Sequence, residues 1–294
     1  LYALLSQSIA EDSDLLALAA NGGNGQPIPN LFLGAVNFLR QRLGESVLSD
    51  YYSLAKTVDH DFYPAFKEFT LSHKAEVTDI LETRLVQTNE VNRSVYLYPM
   101  LCEICELANG PLTVVEIGAA AGLNLCCDRY RYEAGDFVYG DLCSELTLRC
   151  EFHSPFPYGE IKPTPSLTRR VAIDINTLDM NKDEDRSWMR ALIWPEHLDR
   201  QKHFDAALTF ARQADIEYVE GNGVDLLEGL LSGESAGAGI CVFHTHVANQ
   251  ITAEDRARLV AKIDSLSSRY NVFHLYNNIG SAMLQLVHYV GGKR

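Results

Sequence analysis

Apolar positions recur every three or four residues through the first third of the chain, in SDLLALAA, PNLFLGAVNFLRQRL, DFYPAFKEFTLSH, AEVTDILETRLV and EVNRSVYLYPMLCEICELA. That period puts one buried stripe along each α-helix, so residues 1–108 are predicted as an all-helical region. NGGNGQPIPN, between the first two, is a loop by composition. After NGPL the period changes. Short β-branched runs, TVVEIG, RRVAIDI, IEYVEG, GICVFHT, NVFHLY and LQLVHYV, now alternate with helical stretches. This is the pattern of βαβ units on a mainly parallel sheet with helices on both faces, and residues 109–294 read as one α/β domain. The stretch from about 133 to 168, with YEAGDFVYGD, LTLRCEFH and the proline-rich PFPYGEIKPTP, is an insert predicted to carry a hairpin. WMRALIWPEHLDR reads as two helical pieces broken at Pro195.

Composition narrows the partners. In 294 residues, 39 acids stand against 25 bases, a formal charge of −14 that repels phosphate backbones and anionic membrane surfaces. The expected partner is a small molecule, with neither nucleic acid nor membrane. GICVFHTHV is too short to span a bilayer and LYALLSQSIAEDSD has no basic n-region, so a cytoplasmic protein is expected. Seven cysteines, an odd number in apolar contexts, fit reduced thiols. Cys102 with Cys105 and the adjacent Cys126 and Cys127 read as core packing, since a structural zinc would want two CxxC pairs with suitable loops.

The chemistry concentrates in TVVEIGAAAGLNLCCDRYRY, residues 113–132. A predicted strand ends on Glu116, passes through Gly118, Ala119, Ala120, Ala121 and Gly122, and reopens as a helix-like segment. In an open α/β sheet, ligands sit outside the carboxyl ends of the strands, and a turn this small lets them approach the backbone and the free N–H groups of the next helix. The same residues also suit a tight turn whose small size serves packing alone. The spacing E-x-G-x-A-x-G is not the dinucleotide triplet G-x-G-x-x-G. A carboxylate at the strand end suits a cationic guest such as S-adenosylmethionine, which carries an ammonium and a sulfonium. That reading requires an open bend and a Glu116 not locked to an internal arginine. Asp174, ending the second run, could accept both hydroxyls of a ribose, and EGNG puts Asn222, before Gly223, where an amide could hydrogen-bond an adenine edge; taken alone, each segment is more often a turn former.

These stretches carry a resemblance. The small-residue turn within EIGAAAGLNLCCDRYRY (116–132) resembles that of the class I S-adenosylmethionine-dependent methyltransferases, and together with QTNEVNRS (87–94), WMRALIWPEHLDR (188–200), EGNG (220–223), VFHTHV (242–247) and LYALL near the start it makes up the pattern of a narrower group. The group these stretches resemble is the bacterial domain-of-unknown-function family 2332. The resemblance covers almost the whole chain. It implies a Rossmann-like class I methyltransferase sheet with S-adenosylmethionine as cofactor, held by Glu116, Gly118, Ala119, Ala120, Gly122, Asp174, Asn222 and Gly223. It implies no substrate. Ala120 departs from the usual middle glycine and Asn222 from a frequent aspartate. GGKR also comes before the last strand that a full class I sheet would have.

Further candidates follow from geometry. A single helix over EVNRSVYLYPMLCEICELA, joined through NGPL to the bottom of the first strand, returns its start to the ligand end of the sheet. Asn89, Glu90, Asn92 and Arg93 are then at the pocket mouth, either as a solvated helix start or with Arg93 anchoring an acidic substrate or the cofactor carboxylate. His244 and His246, two apart in an extended segment, are expected on one side, as a general base, as two metal ligands, or as core histidines. Trp188, Arg190 and Trp194 are core residues or a substrate wall. The function expected is methyl transfer to a small molecule, with a non-catalytic nucleoside-binding module and a histidine-dependent metal hydrolase as alternatives.

Overall fold

All six β-branched runs enter one sheet. A computed structural model describes residues 1–44, 46–151 and 164–290. Along the chain these residues form helices α1 (Tyr2–Ala10), α2 (Ser13–Ala19), α3 (Ile28–Leu43), α4 (Ser49–Tyr52), α5 (Phe62–Ser72), α6 (Lys74–Thr83) and α7 (Ser94–Ala108). Strands β1 (Leu112–Ile117), β2 (Arg131–Ala134), β3 (Phe137–Gly140), β4 (Thr147–Cys150) and β5 (Leu167–Asp174) follow. Then come α8 (Asp183–Ala191), α9 (Leu198–Gln213), β6 (Ile216–Glu220), α10 (Gly223–Leu231), β7 (Gly239–His244), α11 (Ala253–Leu266), β8 (Asn271–Tyr276) and β9 (Gln285–Tyr289).

The chain divides into two compact units, residues 1–88 with 179–202, and residues 89–178 with 203–294. The first is helical. Its centre is α3, in which every residue from Leu31 to Leu39 is buried, as expected of a helix surrounded by others. Trp188 on α8 fills the space beside it, its indole N–H donating to the Leu85 carbonyl at 3.0 Å and its ring set edge-on to Phe38. Asn37 is buried with its amide donating to the Ala191 carbonyl at 3.1 Å.

The second unit is an α/β fold. Among the described residues its main sheet has the order β6-β5-β1-β7-β8-β9. The first five strands are parallel and β9 runs antiparallel to β8. Numbered along the chain, the parallel strands stand in the order 3-2-1-4-5, so the chain winds outward from β1 both ways. The switch in direction lies between β1 and β7, where an open α/β sheet leaves a crevice at the carboxyl ends. Every residue of β1 is buried, the signature of a central parallel strand. On one face Val115, Ile117, Ile173 and Val242 pack against Val224 and Leu227 of α10 and Leu259 and Ile263 of α11. By the alternation of a strand, Glu116 and Phe243 point to the other face.

Two local predictions differ. The segment after the small-residue turn is a 3-10 helix over Leu123–Arg129, because the Tyr130 and Tyr132 hydroxyls donate to the Leu123 and Cys127 carbonyls and hold it tight. The helix predicted from Glu90 is a 3-10 turn, Val91–Arg93, leading into α7. Residues 89–108 therefore count with the sheet. The insert contains the hairpin β2–β3, with β4 added in parallel to β2. Most of PFPYGEIKPTP, and GGKR, lie outside the described residues. No helix among the described residues is long and apolar enough to cross a membrane.

Candidate functional site

The turn after β1 is wound by alternating left-handed residues, Gly118 (φ 74°), Ala120 (φ 48°) and Gly122 (φ 69°). Most of its amides are bonded internally. Gly118 N–H donates to the Ile173 carbonyl at 2.8 Å, Ala120 N–H to Asp174 Oδ2 at 2.8 Å and Gly122 N–H to the Ala119 carbonyl at 2.7 Å. Leu123 N–H donates to Asn89 Oδ1 at 3.0 Å. The free helix amides expected here are thus partly taken, because a buried turn must satisfy its own backbone. Small size also serves packing: a Cβ on Gly118 would stand 2.2 Å from Val247 Cγ2, and one on Gly223 2.7 Å from Ile117 Cγ2. Ala119, Ala120, Ala121 and Gly122 are buried, while Gly118 is exposed.

Glu116 is 2% exposed. Its Oε1 accepts from Asn124 Nδ2 at 3.2 Å, and Asn124 Oδ1 accepts from Ser94 Oγ at 3.3 Å. Oε2 has no hydrogen-bond partner among the described residues. Burial pushes the carboxyl up to about 8, against the Asn124 hydrogen bond and the Arg93 charge, with Asp174 adding to the rise. The anionic lip expected from the sequence is therefore a buried acid that is mostly protonated at pH 7, because desolvation disfavours its charged form. Among the described residues no arginine locks it. Arg93 instead donates from Nη1 to Thr245 Oγ1 at 2.9 Å.

The other candidates divide. Asn89 is buried and pins the turn through Leu123, while Asn92 keeps a buried Oδ1 without a partner among the described residues. Asp174 Oδ1 accepts from Asn176 N–H at 3.2 Å, so both its oxygens already hold a backbone amide. Asn222 is exposed, and its Oδ1 caps α10 by accepting from Val224 N–H at 2.9 Å. His244 and His246 do not share a side: β7 stops at His244, and His246 turns back at φ 66° with its N–H on Asn277 Oδ1 at 2.8 Å. His244 is fully buried, its Nε2 3.0 Å from His274 Nε2 and its ring stacked on Tyr276. Burial brings its pKa down to about 4, so it is a neutral core imidazole. His246 is exposed; partial burial and then Arg93 lower its pKa, which leaves it neutral and able to accept a proton. Among the described residues no three His, Cys, Asp or Glu side chains gather as a metal ligand set.

The whole chain, residues 1–294, matches the model of a family described as "Uncharacterized protein conserved in bacteria (DUF2332)". The chain belongs to that family. Neither the curated proteins nor the solved structures contain a match.

In this DUF2332 protein, Glu116, Asn89, Asn92, Arg93, Thr245 and His246 come from the segments that meet at the carboxyl edge of β1 and β7. Trp188 and Arg190 belong to the helical unit, where Trp188 is core. Three contributors were missed from sequence: Asn124, Thr245 and Ile175. Asn124 and Thr245 lie inside motifs already singled out, but only the fold pairs them with Glu116 and Arg93. Ile175 is 71% exposed directly after Asp174, an aliphatic surface at a strand end that alternation alone would have buried. The arrangement offers an orphaned acid oxygen, a guanidinium, a neutral imidazole and an apolar face.

Proposed function

We propose that this DUF2332 protein binds S-adenosylmethionine at the carboxyl ends of β1 and β7 and transfers its methyl group to a small molecule. The observation that carries this reading is the buried Glu116 carboxyl, whose Oε2 lacks a partner among the described residues at the sheet's switch point. A buried polar atom without a partner costs about 1–3 kcal/mol and asks for a ligand to satisfy it. Glu116 would receive an ammonium, Asp174 the ribose hydroxyls, and Ile175 an apolar ring face; Asn222 retains its amide N–H groups for a base. The Rossmann-like class I resemblance supports the same assignment. Bound there, the cofactor supplies an activated methyl group. The protein's part is to hold the two reactants together, with exposed His246 available to take a proton from the acceptor.

Titration calorimetry in buffers of different ionisation enthalpy tests the proposal. A cation beside Glu116 restores its charge, so binding at pH 7 releases a proton from an acid about nine-tenths protonated when its pKa is near 8. The Glu116→Gln variant releases none. Absence of binding by S-adenosylmethionine and by its demethylated product sinks the reading. A nucleoside-binding module without turnover is the second reading, favoured by Val247 standing over Gly118. Binding without methyl transfer across a metabolite panel would establish it.

A further inference from the structure

The guanidinium of Arg93 has unused capacity at the same edge. Among the described residues its one hydrogen bond runs from Nη1 to Thr245 Oγ1, at 2.9 Å. No carboxylate among them lies within ion-pair distance. Thr245 is buried, so the anchored end of the fork is fixed. Arg93 itself is only partly buried, which leaves Nε and Nη2 as a paired donor edge. Arg93 is also the cation whose charge Glu116, Tyr96 and His246 each feel. Glu116 is mostly neutral at pH 7 and does not balance it. In a chain of net charge −14, this is an uncompensated positive point where a ligand would enter.

We propose that Arg93 recognises a carboxylate. A planar fork with two adjacent N–H donors matches a carboxylate in bidentate fashion, and one positive charge suits a monoanion better than a phosphate dianion. The inference rests on the ligand site proposed above, though not on the nucleoside's identity. The carboxylate belongs either to the amino-acid end of S-adenosylmethionine or to the second small molecule.

The test begins with the wild-type protein labelled with 15N-arginine, titrated with acetate and separately with inorganic phosphate at constant ionic strength. The resonance absent from Arg93→Gln identifies the Arg93 Nε–H. Acetate is expected to shift it saturably, and Arg93→Gln to weaken acetate at least about tenfold, with Arg93→Lys in between. Tighter binding of phosphate than of acetate, or equal acetate affinity in Arg93→Gln, overturns the proposal. The source is then read from S-adenosylmethionine and its decarboxylated form. If Arg93→Gln weakens only the former, the cofactor carries the carboxylate; if it weakens neither nucleoside while losing acetate, the second molecule does. Saturable acetate binding with no nucleoside binding refutes the cofactor reading and leaves the carboxylate site standing.

Discussion

Glutamine at position 116 separates a buried neutral acid from a charged lip. Glu116 has a folded pKa of about 8 against an ordinary 4.5, a rise caused first by burial. The gap between those two values makes about 5 kcal/mol of pH-dependent stability. Its sign follows from which state ionises first. The unfolded carboxyl loses its proton near pH 4.5 while the folded one keeps it. The contribution is therefore fully present below pH 4.5 and drains away as pH rises through 8. Glutamine copies the protonated acid: its Oε1 can accept from Asn124 Nδ2, and its amide N–H groups stand where the orphaned oxygen was. Urea unfolding of both proteins from pH 4.5 to 8.5 is the assay. Wild type and Glu116→Gln should have similar stabilities at the acid end, and the variant should lead by several kcal/mol at pH 8. Parallel curves would mean that Glu116 stays ionised in the fold, and the account of the site as a neutral acid awaiting a cation would fail.

Two other perturbations read the site's surroundings. His244→Gln should flatten the acid limb of the stability curve. The folded pKa of about 4 against 6.5 makes about 3 kcal/mol, present above pH 6.5 and lost as pH falls through 4, and an unchanged slope in urea unfolding would refute its burial as a neutral group. Gly118→Ala places a side chain at φ 74° and sets its Cβ 2.2 Å from Val247 Cγ2, so a loss of about 2 kcal/mol or more is expected. Adding Val247→Ala should recover the part due to the clash, and a Gly118→Ala protein as stable as wild type in thermal unfolding would show that Val247 does not hold that place.

Much of the architecture was legible because β-branched runs and helical periods rarely imitate each other over lengths of six residues or more. TVVEIG, RRVAIDI and GICVFHT became β1, β5 and β7, and the switch point follows from their pairing. The return of Asn89 and Arg93 to the carboxyl edge was legible too, since a helix of known rise joined to the bottom of β1 has one direction to go. Asn222 was ambiguous between ligand contact and turn former, and the structure makes it the cap of α10. What could not be read were events decided by partners distant in sequence. Nothing in VFHTHV announces that His246 takes a left-handed turn to reach Asn277, which is why two histidines at strand spacing part company. Nor does TVVEIG reveal that Glu116 meets Asn124, itself held by Ser94, rather than solvent.

Glu116 and His244, buried on opposite faces of the sheet, oppose one another in pH. Between about pH 4.5 and 6.5 the unfolded chain binds a proton at His244 that the folded protein refuses, and surrenders one at Glu116 that the folded protein keeps. The numbers of protons bound by the two states then nearly match, and linkage makes the slope of stability close to zero across that window for this pair. Each group alone would tilt the curve by several kcal/mol, in opposite directions. Glu116→Gln should therefore expose a rise of stability with pH over that window and His244→Gln a fall. The double variant should restore the flatness at a different absolute stability. A ligand cation that re-ionises Glu116 removes one arm of this balance, so the bound protein should become steeper toward acid than the free one, with His244 setting the slope.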